Sequence, residues 1–277
     1  MIVDVHAHPP KQFETQTETV LSAPGYRGDK QYKTNVGWAE FQEAYTPVDK
    51  VILLGVARGP HTPNDDIGRY AKLWPEKVVP FCSVDPTDPG AIAEVERCVR
   101  EYGVKGIKIS PHYQIFDPMD PRACALYRVA ERQGLPIAFH QATSPMRMGP
   151  LRYAHPMALD EVAMAFPDLK IVVAHLGHPW EADAIVLIRK HPNVYTDISA
   201  QFYRPWQFYN SLVLCMEYAQ MGKVFFGTDY PVTTPQETLD ALRSVNEMVA
   251  GTRPPRIPED ETEALIHRDA LGMLGIG

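Results

Sequence analysis

Short apolar runs rich in valine and isoleucine alternate with helical patterns along nearly the whole of this chain. Strand-like runs occupy residues 1–6, 50–56, 78–84, 104–110, 136–141, 170–176, 193–199 and 223–229. Helical patterns lie between and after them, near residues 35–45, 65–74, 89–101, 120–133, 156–166, 180–190, 207–221 and 235–249. A strand–helix alternation of this kind predicts parallel strands joined by right-handed crossovers.

Repeated strand–helix units of this number match a (β/α)8 TIM barrel better than an open doubly wound sheet. The chain has 277 residues, near the roughly 250 that are typical of such a barrel. Strand order cannot be read from periodicity, so the open sheet stays as the alternative. We predict a single domain over 1–277, with a ninth helix, about 258–274, across its outside or bottom. We expect the segment 9–34 to cover the carboxyl-terminal face as a lid or substrate loop.

Charge and composition exclude several classes of partner. The net charge of −7 argues against nucleic acid and anionic membranes, which both need a basic surface, but allows a small-molecule substrate. No apolar run approaches the length of a membrane span, and the first residues resemble a strand rather than a signal segment. The 4 cysteines lie far apart in sequence, so we expect reduced thiols in a cytoplasmic protein. A homodimer is left open.

The first predicted strand ends with two histidines separated by one residue, His6 and His8. Side chains of a strand alternate between its faces, so both imidazoles are expected on one face and Val3, Val5 and Ala7 on the other. Two imidazoles that point into the mouth of a barrel form half of a metal site. Taken alone, the spacing is also that of an ordinary surface pair of histidines.

Further candidates fall at the carboxyl ends of other predicted strands. His140 ends the fifth strand, His175 the sixth and Asp229 the eighth. In a barrel these positions share one rim with His6 and His8, and catalytic groups collect at that rim. Neutral imidazoles with a carboxylate suit one divalent ion, zinc first and manganese or iron as alternatives. An ion that keeps an open position activates a bound water near neutral pH.

A series of motifs surrounds these residues in a characteristic order and spacing. In chain order the motifs are Asp4-Val5-His6-Ala7-His8; Gly106-Ile107-Lys108-Ile109-Ser110-Pro111; Gly134-Leu135-Pro136 leading to His140; Phe166-Pro167-Asp168-Leu169-Lys170 leading to His175-Leu176-Gly177; Pro192-Asn193-Val194-Tyr195-Thr196-Asp197 with Ser199; and Phe226-Gly227-Thr228-Asp229-Tyr230-Pro231. Together they resemble the amidohydrolase-related (amidohydrolase 2) family. That family includes the zinc decarboxylases of aminocarboxymuconate semialdehyde and of aromatic acids, and related metal-dependent hydrolases. The resemblance covers nearly the whole chain.

The resemblance implies a barrel with a mononuclear metal site. It assigns His6, His8, His140 and Asp229 as the metal ligands. It assigns His175 as the catalytic histidine, which would polarise a substrate carbonyl or donate a proton. Asp229 would also act in catalysis, by taking the proton of the attacking water. As alternatives, His175 is a fifth ligand or a support for the ligands.

Lys108 ends the fourth predicted strand on the inward face. In binuclear amidohydrolases a lysine at this position is carbamylated and bridges two metals, so a second ion is an alternative. Pairing of the ammonium with an acid or a substrate carboxylate is the simpler interpretation.

Asp4 and Asp197 are expected to accept hydrogen bonds from the ligand histidines or to close a core network. The family usually has a Thr-Gly pair that starts where this chain has Gln141, and often a second glycine at His178. These departures bear on the substrate.

The loops after the fifth and seventh strands are expected to bind the substrate. The first loop contains Met146 and Arg147, and the second contains Tyr203, Arg204 and Trp206. Arginine among aromatic side chains fits a planar carboxylated substrate, because a guanidinium pairs with a carboxylate through two hydrogen bonds and aromatic rings stack. For each arginine taken alone, an ordinary surface residue is the favoured interpretation.

These residues support more than one function. The first choice from the sequence is a hydrolase that uses a metal-activated water on an ester, lactone or amide of a small carboxylated substrate. The alternative is a non-oxidative zinc-dependent decarboxylase, or a hydratase, that acts on an aromatic or muconate-like acid. The third is a barrel that binds a metal or a ligand without catalysis, which the presence of His175 beside the ligands disfavours.

Overall fold

Eight parallel strands form one sheet, in which each strand lies beside its neighbour in sequence. The computed structural model describes residues 1–10, 36–58, 61–144 and 147–277. The strands are β1 (Val3–Ala7), β2 (Lys50–Leu54), β3 (Val78–Ser83), β4 (Gly106–Ile109), β5 (Ile137–Phe139), β6 (Ile171–Val173), β7 (Val194–Asp197) and β8 (Val224–Phe225). β1 also meets the end of β8, because the Val5 amide donates to the Phe226 carbonyl at 3.0 Å. The Asp229 amide donates to the His6 carbonyl at 2.7 Å. The sheet is therefore a nearly closed barrel, and the predicted (β/α)8 fold is confirmed over the open sheet.

Helices follow the strands in the predicted alternation. They are α1 (Trp38–Ala44), α2 (Asn64–Leu73), α3 (Ala91–Tyr102), α4 (Pro111–Gln114), α5 (Pro121–Gln133), α6 (Asp160–Ala165), α7 (Glu181–Lys190), α8 (Pro205–Glu217), α9 (Pro235–Arg243), α10 (Glu259–Ile266) and α11 (Ala270–Leu274). Local sequence sets their ends. The side chain of Asp120 accepts a hydrogen bond from the Arg122 amide at the start of α5, and Gly134, with a φ of 65°, ends that helix.

Three predicted helices differ clearly from those observed. The helix predicted over 235–249 ends at Arg243, and Glu247–Val249 forms a separate 3-10 turn. The C-terminal helix predicted over 258–274 is divided into α10 and α11, because the side chain of Asp269 accepts from the Gly272 amide and begins a new helix. The helix predicted over 156–166 begins as the 3-10 turn Pro156–Leu159 and continues as α6. The short helix α4 was not predicted.

A cluster of apolar side chains fills the interior of the barrel beneath its carboxyl end. Its buried members are Val3, Val5, Ile52, Leu54, Phe81, Ala138, Val172, Tyr195 and Phe225 of the strands, with Ala270, Leu271 and Leu274 of α11. β4 contributes Gly106, where a Cβ would lie 2.4 Å from the ring of Phe81, so glycine leaves room for that ring. Since α11 packs against this cluster and contacts β1, the C-terminal segment covers the bottom of the barrel, as expected.

β1 departs from simple alternation, because its register with β2 shifts after Asp4. Val3 and Val5 pack inside the barrel, whereas Asp4 accepts a hydrogen bond from Tyr45, which follows α1. The prediction that both valines lie on the face opposite the histidines is therefore wrong. A register irregularity of this kind reverses the parity of the following residues, and it turns His6 inward directly after Val5.

The remaining expectations on the whole chain fall partly outside the described residues. Within the ranges given above, no helix is long and apolar enough to cross a membrane. The cysteines, Cys82, Cys98, Cys124 and Cys215, are free thiols, as predicted. The proposed lid, 9–34, lies outside the described residues apart from its first two positions, and so does Met146.

Candidate metal centre

The residues predicted to bind the ion or to act beside it lie together at the carboxyl end of the barrel. His6 lies within β1, and His8 directly follows that strand. His140, His175 and Asp229 follow β5, β6 and β8. Because parallel strands of a barrel end at a common rim, side chains that are distant in sequence meet there.

The side chains of His6, His175 and Asp229 form the tightest part of this group. One donor atom of each lies within 4.8 Å of the donor atoms of the other two, which is close enough for a shared ion. Asp229 also reaches His8, the histidine directly after β1. Its Oδ1 is 3.6 Å from His6 Nε2 and 3.3 Å from His8 Nε2. Both histidines thus approach one carboxylate, as their spacing predicts.

His140 joins the group through His175. Its Nδ1 lies 3.3 Å from His175 Nε2, and its buried Nε2 has no hydrogen-bond partner among the described residues. Imidazoles with one carboxylate are the donors that a divalent ion such as zinc prefers. The predicted ligands and the compact trio that includes His175 share one site. Which of the histidines binds the ion stays a prediction.

The backbone adopts an unfavourable conformation where it presents two of these side chains. His175 has a φ of 57° and Asp229 a φ of 63°, in the left-handed region that residues with a Cβ seldom adopt. Leu176, next to His175, has a φ of 51°. Such conformations cost about 1–3 kcal/mol each and cluster at functional sites. The turns after β6 and β8 therefore favour a functional interpretation of the two side chains they carry.

Burial and neighbouring charges set the protonation of these two residues. Burial, together with the charge of His6, lowers the pKa of His175 to about 3, so its ring is neutral at neutral pH. Burial alone would raise the pKa of Asp229, but the hydrogen bond from His8 and the charges of the nearby histidines outweigh it. The pKa of Asp229 therefore lies well below its ordinary value. A neutral imidazole and an ionised carboxylate are the forms that bind metals.

Lys108 places a buried cation in the same group. The residue is 2% exposed, and its Nζ lies 3.4 Å from His6 Nε2. Burial lowers the pKa of Lys108 to about 8, while the charges of Asp197 and Asp229 act in the opposite direction. The ammonium form therefore predominates at neutral pH and faces the site, which agrees with the inward orientation predicted from the strand.

Asp197 and Ser199 hold the rings of His6 and His175 from behind. Asp197 Oδ2 accepts from His6 Nδ1 at 3.0 Å, and Asp197 Oδ1 accepts from the backbone amide of His175 at 3.0 Å. Ser199 Oγ lies 2.7 Å from His175 Nδ1. Burial alone would raise the pKa of Asp197, but the charges and hydrogen bonds of His6 hold it well below its ordinary value. The prediction that Asp197 accepts from a histidine of the site is confirmed.

Asp4 closes a core network, which was the second role predicted for it. It is fully buried and accepts from the hydroxyls of Tyr45 at 2.9 Å and Thr228 at 2.7 Å. It also accepts from the backbone amide of His6 at 3.0 Å. Burial raises the pKa of Asp4 to about 7 in spite of these hydrogen bonds. Because Thr228 precedes Asp229, the network connects β1 to the turn that carries this carboxylate.

The two departures from the family's motifs hold segments at the edge of the site. Gln141 is buried, and its side-chain amide donates to the carbonyls of Tyr153 at 2.8 Å and His155 at 2.9 Å. His178 Nδ1 lies 2.7 Å from Glu181 Oε1 at the start of α7. Gln141 thus fixes the loop after β5, and His178 fixes the turn after β6 to the next helix.

The predicted substrate-binding residues lie on the loops at the rim. The Arg204 guanidinium lies over the Tyr203 ring, 4.7 Å from its centroid, and Arg204 Nη1 donates to the Ala200 carbonyl at 3.4 Å. Trp206 is 58% exposed at the start of α8, and Arg147 is exposed. Contacts of this kind also occur in loops that bind nothing, so a substrate role for these residues stays a prediction.

Sequence reasoning missed two residues that contact the group. The ring of Tyr113 in α4 lies 4.8 Å from the ring of His140. Gln201 in the loop after β7 is buried, and its side-chain amide donates to the His175 carbonyl at 2.8 Å. The sequence signal for both is weak, since each lies a few residues beyond a strand that ends at the site.

The fold is a (β/α)8 barrel, and histidines and an aspartate meet at the ends of β1, β5, β6 and β8. This arrangement is that of an amidohydrolase-type protein. The family model described as Amidohydrolase matches residues 3–276, and the chain belongs to that family. The resemblance of its motifs is thereby confirmed.

Solved structures with the same fold extend over nearly the whole chain. The 5-carboxyvanillate decarboxylase of Sphingomonas paucimobilis is 18% identical with a TM-score of 0.66, covering 100% of this chain and 99% of that chain. A dihydroxybenzoic acid decarboxylase of Polaromonas sp. was solved with manganese and 2-nitroresorcinol. It is 15% identical with a TM-score of 0.71, and the match covers 99% of this chain and 97% of that chain. A probable 2-pyrone-4,6-dicarboxylic acid hydrolase of Acinetobacter baumannii, with citric acid bound, is 16% identical with a TM-score of 0.68, covering 99% of each chain. At these identities the likeness establishes the fold.

Proposed function

We propose that the protein is a metal-dependent, non-oxidative decarboxylase of a small aromatic or muconate-like acid. The observation that carries the proposal is the buried ammonium of Lys108, 3.4 Å from His6 Nε2 in a group of imidazoles and carboxylates. Such a site suits an anionic substrate. The likeness to two decarboxylases of aromatic acids supports this reaction over hydrolysis, which was the first choice from the sequence.

His6, His8, His140 and Asp229 would hold one divalent ion, with zinc first and manganese or iron as alternatives. The neutral state of the buried histidines and the ionised state of Asp229 fit this role. An ion bound there supplies positive charge that binds and polarises oxygen atoms of the substrate. The manganese in the similar dihydroxybenzoic acid decarboxylase supports an ion of this class.

Lys108 would bind an anionic oxygen of the substrate. A buried ammonium is costly unless charged or polar acceptors surround it. Among the described residues, Lys108 has one hydrogen bond, to a histidine nitrogen, so a substrate carboxylate or phenolate would supply a further acceptor. A charge-assisted hydrogen bond of this kind is about twice as strong as a neutral one. The ring of Tyr113 beside His140 offers a surface for a planar substrate.

His175 would transfer the proton. Its ring is neutral in the free protein and can take up a proton from solvent or from a substrate hydroxyl. It would return that proton to the carbon that loses the carboxylate. The carbon–carbon bond breaks, its electron pair stays on the ring carbon and forms the new C–H bond, and CO2 leaves. Each turnover consumes one proton.

Hydrolysis of an ester, lactone or amide is the second candidate. It is favoured by the neutral His175 and the ionised Asp229, because either can accept the proton of an attacking water. The likeness to a probable 2-pyrone-4,6-dicarboxylic acid hydrolase supports it. Hydration of a double bond would use the same groups.

Two assays on zinc- or manganese-loaded protein separate these functions. One measures CO2 release from a panel of aromatic and muconate-like acids, and the other measures acid release from esters, lactones and amides. We expect CO2 release, and a loss of at least about 10²-fold in His175→Ala, the lower range for removing an acid–base group. His61→Ala, a change at an exposed histidine, is the control. Acid release without CO2 would replace decarboxylation by hydrolysis, and metal binding without turnover on either panel would favour a non-catalytic barrel.

A further inference from the structure

Ser199 lies between two histidines of the site and is fully buried. Its Oγ is 2.7 Å from His175 Nδ1 and 3.2 Å from His6 Nδ1. The same hydroxyl donates a short hydrogen bond to Asp197 Oδ1. One side chain therefore contacts two imidazole rings that come from β1 and from the turn after β6.

The single proton of this hydroxyl determines the direction of the other two contacts. A serine hydroxyl has one hydrogen to donate and two lone pairs, and a carboxylate only accepts. Since the Ser199 proton is directed to Asp197, its oxygen can only accept from His6 and His175. Both rings must then carry a hydrogen on Nδ1.

Separate contacts lead to the same result for each ring. His175 Nδ1 is also 3.2 Å from the Ser199 carbonyl oxygen, which cannot donate. His6 Nδ1 is 3.0 Å from Asp197 Oδ2, which accepts. On its other side, His6 Nε2 is 3.4 Å from Lys108 Nζ, and an ammonium has only hydrogens to offer. His6 Nε2 is therefore the bare nitrogen.

We propose that Ser199, oriented by Asp197, is a positioning residue that fixes His175 as the Nδ1–H tautomer, and that Asp197 and Ser199 together hold His6 in the same form. The Nε2 lone pairs of the two rings then both face the centre, where His6 Nε2 approaches Asp229 and His175 Nε2 approaches His140. The tautomer of a neutral histidine is set by the hydrogen bond that its other nitrogen makes. Without the hydroxyl, the ring of His175 keeps only the longer contact to a backbone carbonyl, whereas the ring of His6 keeps Asp197.

The tautomers are measured in metal-free protein with 15N-labelled histidine, by the chemical shifts and proton couplings of the ring nitrogens. His6→Ala and His175→Ala spectra assign the signals. In the unaltered protein we expect a protonated Nδ1 and a bare Nε2 on both rings. In Ser199→Ala we expect a mixture of tautomers at His175 and little change at His6. The matched control is Ser211→Ala in α8, where a buried hydroxyl donates only to the Gln207 carbonyl at 2.6 Å.

A second readout rests on the proposed metal site. Competition with a chromophoric chelator for zinc should show nearly the same affinity in Ser199→Ala and in Ser211→Ala, because the proposed ligand His6 keeps its hydrogen bond to Asp197. A loss of about 10–100-fold in Ser199→Ala, the usual effect of losing a residue that orients a ligand, would show that Ser199 is needed to position a ligand and would overturn this division of roles. A protonated Nε2 on His175 in the unaltered protein would overturn the inference, and so would Ser199→Ala with unchanged ring spectra. Should that variant fail to fold, Ser199→Gly also lacks the hydroxyl. Neither readout involves turnover, so failure of the proposed reaction leaves both interpretable.

Discussion

Residues of the site differ in how far the sequence reveals them. His6, His140 and Asp229 were predictable, because a residue at the carboxyl end of a parallel strand must lie at the common rim. Ser199 and Gln201 were not assigned a role. Their contacts to His175 depend on turns with left-handed residues after β6 and β7, and hydrophobic periodicity does not encode such turns.

Lys108→Met tests the proposed contact between the buried ammonium and the substrate. Removing one partner of a buried charge pair costs about 2–5 kcal/mol, which corresponds to roughly 30-fold or more in kcat/KM. We expect this loss on carboxylated substrates, measured by steady-state kinetics, with the metal content unchanged. Lys105→Met, at an exposed lysine directly before the same strand, is the control. A kcat/KM equal to that of the control would remove Lys108 from substrate binding.

Among the elements, the strands were predicted at the right places along the chain, but every strand after the first was given a carboxyl end that is too long. The eighth was expected over 223–229, whereas only Val224–Phe225 pairs as β8. The apolar pattern continues through Phe226, but the next residues leave the sheet to build the site. A Cβ at Gly227 would lie 3.2 Å from the Cβ of His6, and Asp229 has a positive φ. The close approach of two strands to one site is a tertiary effect that a local pattern does not contain.

Glu94 joins α3 to α2 and makes their packing sensitive to acid. Its carboxylate accepts from Arg97 Nε at 2.7 Å and from the Asn64 side chain at 2.8 Å. The bond from Arg97, with burial acting against it, lowers the pKa of Glu94 from 4.5 to about 2. A lowered pKa in the folded state stabilises the protein above the unfolded pKa. This contribution to the free energy of unfolding is lost as the pH falls from about 4.5 through about 2.

Glu94→Gln should therefore flatten the pH dependence of the free energy of unfolding between pH 4.5 and about 2. Chemical denaturation at a series of pH values measures it. Glu96→Gln, at an exposed position of the same helix, is the control and should keep the slope of the unaltered protein. If Glu94→Gln retained that slope as well, the coupling between the two helices would be ruled out as its source.

At the scale of the whole molecule, the number of strand–helix units indicated the barrel and the family resemblance agreed with it. Closure depends on hydrogen bonds between the first and last strands, such as that from the Val5 amide to the Phe226 carbonyl, which no pattern within one segment specifies. The covering of the bottom by the C-terminal segment was expected, but its division at Asp269 was not. A lid formed by residues 9–34 stays a prediction.

Leu274→Ala tests the role of α11 in closing the bottom of the barrel. Leu274 is 1% exposed and packs with the interior cluster. Removing a buried leucine side chain costs about 2–5 kcal/mol of the free energy of unfolding. The same substitution at Leu73, which is 55% exposed, should cost much less. Similar losses in the two variants, measured by chemical denaturation, would show that α11 does not stabilise the barrel.

The site is proposed to hold one ion, with His175 acting beside it. Elemental analysis tests this most directly, on the purified, metal-loaded protein and on two histidine variants. We expect about one divalent ion per chain in the unaltered protein, as for a mononuclear site. His140→Ala should lose the ion, whereas His175→Ala should keep most of it and lose turnover. Absence of a bound ion in the unaltered protein, or equal loss of the ion in both variants, would contradict this assignment.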